Sequence, residues 1–150
     1  MKAWLQRVSR ASVTIDGEVV GKIEKGYLVL LGVTHTDSEA EADRIAERIP
    51  VLRLFTDEKD LMNLSLEDVG GSVLVVSQFT LYADTDHGRR PGFSNAAKAD
   101  LADPLYERVV SKLRERLGSE RVQTGRFGAD MKVELLNDGP VSVELRAGVN

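Results

Sequence analysis

Gly70-Gly71-Ser72-Val73-Leu74-Val75-Val76-Ser77-Gln78-Phe79-Thr80 is the segment from which the fold is read. Its centre is β-branched and apolar without alternation, the pattern of a strand buried on both faces, and the two glycines mark its start. Ser77 falls at the C-terminal end of that strand. There a hydroxyl, an amide, an aromatic ring and a second hydroxyl follow one another. Such a sequence places polar groups at the mouth of an apolar interior, which is how small-molecule pockets are built. The same residues also suit a plain turn, with Ser77 and Thr80 capping it and Phe79 packed in the core. Periodicity does not separate the two.

Upstream lies a second run of the same kind, Tyr27-Leu28-Val29-Leu30-Leu31-Gly32-Val33 after Gly26, again a candidate interior strand. Lys2 to Ser9 and Ser12 to Ile15 are expected to be β. Asp16-Gly17 suits a tight hairpin turn, and Glu18 to Ile23 the returning strand. Ser38 and Glu41 have capping-box spacing. Ala42, Ile45, Ala46 and Ile49 recur at three and four residues, so a helix is expected from there until Pro50 disturbs it. Val51 to Phe55 is expected as a short strand, and Asp57 to Asp60 as an exposed connection.

Downstream, Asp84 to Phe93 carries His87, Gly88, Arg89, Arg90, Pro91 and Gly92, and reads as a basic loop able to touch phosphate. Ser94 is expected to cap a short helix through about Asp100. Asp103-Pro104 should open a longer one that Gly118 ends, with Leu105, Val109, Leu113 and Leu117 buried. Arg121 to Thr124 is strand-like. Met131 to Leu136 and Val141 to Leu145 alternate as two strands joined by the turn tetrad Asn137-Asp138-Gly139-Pro140.

A chain of 150 residues with 42% hydrophobic and 29% charged residues is expected to fold as one domain over residues 1–150. No apolar run reaches the roughly 18 residues that a membrane span requires, and Met1 to Arg10 lacks the features of a signal peptide, so a cytoplasmic location is expected. The chain has no cysteine, which excludes disulfides, thiolate metal sites and a cysteine nucleophile. Its net charge of -4 gives no general attraction for nucleic acid, so any RNA contact must be local. Arg7 with Arg10, Arg89 with Arg90, and Arg121, Arg126 and Lys132 are the places where cations gather, as functional patches or as ordinary solvated surface.

Generic motifs offer little. Neither a P-loop nor a dinucleotide-binding turn is present. Gly92-Phe93-Ser94-Asn95-Ala96 misses the nucleophile elbow at its last residue and follows a loop where that elbow needs a strand. His35 and His87 lack the spacing of zinc ligands. No cofactor or metal is expected.

Ser77-Gln78-Phe79-Thr80-Leu81-Tyr82-Ala83 and Asn137-Asp138-Gly139-Pro140-Val141-Ser142 together resemble, in order and separation, the two signatures of the D-aminoacyl-tRNA deacylase family, S-Q-F-T-L-x-A and N-x-G-P-V-T. The likeness extends from Met1 to Leu145, through the Arg-Val-x-x-Ala-Ser-Val opening at Arg7, the Gly88 to Phe93 loop and the stretch from Thr124 to Met131. Ser142 stands where the family usually has threonine, which keeps the hydroxyl. Gly92 stands where many relatives carry serine.

The resemblance implies an α/β chain of the α+β type, with twisted, mostly antiparallel sheets in a barrel-like core, flanking helices and a homodimeric assembly. It implies an aminoacylated tRNA as substrate and ester hydrolysis as the reaction. Ser77, Gln78, Phe79 and Thr80 are then the catalytic candidates. Asn137, Gly139 and Pro140 are the candidates for reading chirality, with the Gly139-Pro140 peptide cis and projecting into the other subunit's pocket. Phe127, Ala129 and Met131 would receive the terminal adenosine. Water attack assisted by the terminal 2′-hydroxyl is expected over covalent attack by Thr80, because no histidine or lysine in the signature could activate that hydroxyl. A domain that only binds RNA ends, and a serine esterase acting through Ser94 or Ser77, are the alternatives of other classes.

Overall fold

In the computed structural model, which describes residues 1–149, Lys2–Ile15 form one continuous strand, β1, that pairs with three others. Asp16 (φ 50°) and Gly17 (φ 79°) both lie in the left-handed region. That backbone matches the twist of a two-residue hairpin, and the chain returns as β2 (Glu18–Ile23). β3 (Gly26–Gly32) pairs antiparallel with Lys2 to Val8, while β2 takes Ala11 to Ile15, so the two halves of β1 have different partners on that edge.

The capping box forms as expected. Ser38 accepts from the Ala40 amide and Glu41 reaches back to the Ser38 amide, starting α1 (Glu39–Arg48). The expected strand from Val51 is not found, and only β4 (Phe55–Thr56) pairs, with β5 (Met62–Leu64). Pro50 does not straighten the chain, because the amides of Val51 and Leu52 both still reach the Arg48 carbonyl. After the short α2 (Leu66–Val69) comes β6 (Ser72–Ser77), which runs parallel to β3 from Gly26↔Ser72 to Leu31↔Ser77.

A single helix, α3 (Ala99–Leu117), replaces the two expected, with Lys98 rather than Ser94 at its start and Pro104 inside it. Proline at that position removes one amide near the helix start. The stripe of Ala102, Leu105, Tyr106, Val109, Val110, Leu113 and Leu117 is buried along the whole length and outweighs that loss. β7 (Val122–Thr124) extends the parallel edge beside β6, and β8 (Lys132–Arg146) closes the set against β1. β8 is also one element where two strands and a turn were expected. The segment between Asn137 and Ser142 stays on the strand path as a bulge opposite Arg7, between the pairs Val8↔Asn137 and Gln6↔Ser142.

The main sheet therefore runs β2-β1-β3-β6-β7, with β8 also on β1. It curls until β2 meets the parallel edge: a Cβ at Gly21 would lie 2.5 Å from the Thr124 carbonyl oxygen. Close backbone approach of this kind closes a small barrel. The alternation of β3 and β6 serves two cores. Tyr27, Val29, Leu31, Val73 and Val75 face α1 and α3, whereas Leu28, Leu74 and Val76 face inward with Val8, Ala11 and Val13. This is why neither run alternates polar with apolar. Arg108 of α3 forks onto both oxygens of Asp43 in α1 at 2.7 and 3.0 Å, joining the two covering helices. That bond holds the Asp43 carboxyl below the usual carboxylate range, so the stability it contributes is present at neutral pH and is lost as pH falls below that range through the carboxyl's depressed pKa.

The Met1 ammonium is fully buried, 2.7 Å from Asp37 Oδ1 and 2.8 Å from the Ala147 carbonyl, and the other Asp37 oxygen accepts from the Thr34 amide at 2.8 Å. Removing one partner of such a pair leaves an uncompensated charge in the interior. Asp37→Asn should lower unfolding stability by about 3 kcal/mol, read as a reduced midpoint at unchanged m-value in urea titrations.

Candidate active site

Parallel strands bring their C-terminal ends to one edge, and that is where clefts form in such sheets. Here β3 and β6 end together. The Gln78 amide donates to the Leu31 carbonyl at 2.8 Å, extending the ladder by one residue. The chain then tightens into a 3₁₀ turn, Phe79–Tyr82. The opening so created leads into a cavity of about 440 Å³.

Ser77, Gln78 and Phe79 form one side of this cavity. Phe127, Ala129 and Met131 form another, on the segment between β7 and β8. That segment is tied back by the Gly125 amide on the Val75 carbonyl and the Ala129 amide on the Arg126 carbonyl. A Cβ at Gly125 would meet the Met131 sulfur at 2.4 Å, so a larger residue there would displace that side chain from the cavity wall. Phe127 leans on Tyr106, centroids 6.1 Å apart, and the buried Tyr106 hydroxyl donates to the Val75 carbonyl at 2.8 Å. Burial holds that phenol well above its ordinary range, so it remains a neutral donor. Ala97, Ala99 and Ala102, at the start of α3, complete the wall.

Thr80 is exposed and does not line the cavity, but its hydroxyl accepts from the Gln78 side-chain amide. No histidine, lysine or carboxylate hydrogen-bonds that hydroxyl among the described residues. Asp130, at the rim, is the one ionisable side chain lining the cavity, and Lys132 lies 3.5 Å from it. Chemically, the cavity offers amide and hydroxyl groups against an apolar wall suited to a flat ring. Apart from the Asp130 carboxylate at the rim, the lining offers no side-chain base among the described residues, and no nucleophile hydrogen-bonded to one. Among the described residues no group of acidic or histidine side chains could hold a metal ion.

Asn137, Gly139 and Pro140 do not join that cavity within one chain. They stand opposite Arg7, which pairs with Tyr27, whereas the cavity opens beyond Leu31 at the other end of β3. The Asn137 side chain ties the foot of the bulge. Its oxygen accepts from the Val141 amide at 2.8 Å, and its nitrogen donates to the Val141 carbonyl at 3.3 Å and the Ser142 hydroxyl at 3.2 Å. The Gly139-Pro140 peptide is cis, and both residues are exposed. Gly139 has φ 146°, and a Cβ on it would meet the Val141 amide nitrogen at 2.9 Å.

Arg7 braces this bulge, a role that neither reading of its grouping with Arg10, functional patch or solvated surface, contains. Its Nε donates to the Asp138 carbonyl at 2.8 Å and its Nη1 to the Leu54 carbonyl at 2.7 Å, with its side chain buried. The signal was present in the alternation, since Arg7 continues the inward series of Ala3 and Leu5. A second feature that sequence did not reveal is the seating of Phe93 edge-on against Phe79, centroids 5.1 Å apart.

Comparison with known proteins identifies the family. The family model described as D-Tyr-tRNA(Tyr) deacylase matches residues 4–146. A D-aminoacyl-tRNA deacylase of Symbiobacterium thermophilum is 57% identical over 143 residues, covering 95% of this chain and 93% of that protein. One of Clostridioides difficile is 55% identical over 145 residues, 97% and 96% of the two chains. Among solved structures, a c-Myc DNA unwinding element binding protein superposes with TM-score 0.94 at 39% identity, covering 99% of this chain and 100% of that one. A probable eukaryotic D-amino acid tRNA deacylase shares the fold at TM-score 0.79 and 18% identity, over 96% and 97% of the two chains. With a family model spanning nearly its whole length and relatives above half identity across it, the chain belongs to the D-Tyr-tRNA(Tyr) deacylase family.

Proposed function

We propose that this chain hydrolyses the ester between a D-amino acid and the 3′-terminal adenosine of tRNA, as a single domain acting in a homodimer. The observation that carries the reading is the cavity itself. It sets the Ser77-Gln78-Phe79 edge against the apolar wall of Phe127 and Met131, with no acid-base pair to serve another kind of hydrolase. The adenine lies on that wall beside Ala129. The ester carbonyl lies toward the 3₁₀ turn, where the Phe79 amide and the Gln78 side chain donate to the oxygen as it gains charge. Ser77 shapes that network.

An aminoacyl ester is already activated, so placement of water and carbonyl suffices. Water adds to the carbonyl carbon, and the 2′-hydroxyl relays its proton to the departing 3′ oxygen. The bond between the carbonyl carbon and the 3′ oxygen breaks, leaving a free D-amino acid and a tRNA with its 3′-hydroxyl restored. Thr80 holds Gln78 rather than attacking.

Selectivity comes from the bulge of the second subunit. Main-chain carbonyls of Gly139 and Pro140, held by Arg7 and Asn137 of their own chain, accept from the substrate's α-ammonium. They occupy the space that an L side chain would need. Exclusion by backbone tolerates any D side chain, and glycine too, so glycyl-tRNA mischarged on tRNA(Ala) is a second substrate.

The purified protein should release D-tyrosine from D-tyrosyl-tRNA while leaving L-tyrosyl-tRNA at the rate of buffer. Release of neither, with tRNA still bound, would identify a binding module instead. Thr80→Ala should retain measurable deacylation, whereas near-complete loss with fold and binding intact would make Thr80 the nucleophile. Gly139→Ala and Gln78→Ala should each lose most activity. Mixing the two inactive variants under exchange should then restore about a quarter of wild-type activity, because half the dimers carry one intact site assembled from both chains. No recovery on mixing would show that bulge and cavity do not meet across subunits.

A further inference from the structure

The arm formed by residues 84–92 is left unused by the reaction just described. Its base is closed by reciprocal backbone bonds, Asp84 amide to Gly92 carbonyl at 2.7 Å and Gly92 amide to Asp84 carbonyl at 2.8 Å. The next residue, Phe93, packs edge-on against Phe79 at the cavity rim. The chain that follows is anchored too. Asn95 and Ser94 carbonyls bond the Thr34 hydroxyl and the His35 ring, each at 2.6 Å, and the Ala97 amide donates to the Val33 carbonyl at 2.9 Å. Ala97 itself lines the cavity. The arm is therefore placed at the rim by its root, whatever its tip does.

The tip carries Arg89 and Arg90, both exposed, and neither has a carboxylate partner among the described residues. The acidic groups of the arm are Asp84, whose carboxylate accepts from the Asp86 amide and faces His87 at 3.7 Å, and the exposed Asp86. At the root of the arm, Phe79 and Phe93 remain 54% and 40% exposed, although they pack against each other. Unpaired cations next to exposed aromatic rings are the composition of a surface for single-stranded nucleic acid. The net charge of -4 gives the chain no general attraction for nucleic acid, so such a surface must be local.

We propose that this arm and the Phe79–Phe93 pair form a rim that holds the single-stranded 3′ end of the RNA. Arg89 and Arg90 take phosphodiesters, and the aromatic edge takes a base upstream of the acylated nucleotide. The proposal rests on the deacylase reading for its substrate and assigns the surface that receives it.

Two substrates separate the rim from the cavity: D-tyrosyl-tRNA, and the D-tyrosyl ester of adenosine, which fills the cavity but cannot reach the arm. The double variant R89A/R90A should lower kcat/KM on the tRNA by about tenfold near physiological salt and leave the adenosine ester unchanged. Phe93→Ala should show the same split. Loss of two phosphate contacts should also flatten the slope of log affinity against log salt by about 1.4, measured by fluorescence anisotropy with a single-stranded RNA ending in CCA. Arg44→Ala, which removes a charge from α1 outside the cavity lining, should show neither effect. Equal losses on both substrates, or an unchanged tRNA rate, would overturn the rim. Should the wild type cleave neither substrate, the deacylase reading falls, and the anisotropy slope still decides the arm: equal slopes for wild type and double variant would overturn it.

Discussion

Parallel pairing of β3 with β6 is the constraint from which the remaining architecture follows. A strand pair buried on both faces needs two covers. One is the layer of α1 and α3 over Tyr27, Val29, Val73 and Val75. The other is the sheet's own continuation, curled so that Val8, Ala11 and Val13 meet Leu28, Leu74 and Val76. Both covers end at the level of Leu31 and Ser77, and the space beyond is the cavity. The polar groups found there are backbone and amide groups because the strand ends themselves supply them.

Arg7 shows how a charge can be kept inside such a structure. Its guanidinium faces carbonyl oxygens of Asp138 and Leu54 rather than a carboxylate, with the Thr56 hydroxyl 3.4 Å from Nη1. Five donors in a fixed plane suit this task, since they can satisfy main-chain oxygens from separate segments at once. The bulge of β8 is thereby fastened to the region before β4, two parts of the chain that sequence places far apart. Lysine would have to reach both oxygens from one nitrogen, without the separate donors that Nε and Nη1 provide.

Much of the fold was legible in the residues. The interior strands, the Asp16-Gly17 hairpin and the Ser38-Glu41 box are local devices, and each formed where its spacing indicated. The departures have a common cause, which is that tertiary burial overrode local punctuation. Pro104 did not begin a helix because the buried stripe already ran through Ala102, and Asn137 to Pro140 did not end a strand because β1 continued to pair on either side. Of the site, Ser77, Gln78, Phe79, Phe127, Ala129 and Met131 line one cavity. Polar groups at a strand end were visible from pattern alone, but their convergence with Phe127 was not, since no local rule links positions fifty residues apart. The role of Arg7 was legible only as an oddity of alternation.

The embrace of β1 by β8 has a consequence for how the protein is made. β1 finds its longest partner only after some 130 further residues have been made, from pairing of Lys2 with Arg146 to pairing of Thr14 with Lys132. At ordinary elongation speeds that interval is on the order of ten seconds. During it β1 has β2 and β3 along one edge, and the edge that β8 will take stays open. The barrel can therefore close only once β8 has emerged, and until then the nascent chain must keep that edge of β1 from other partners.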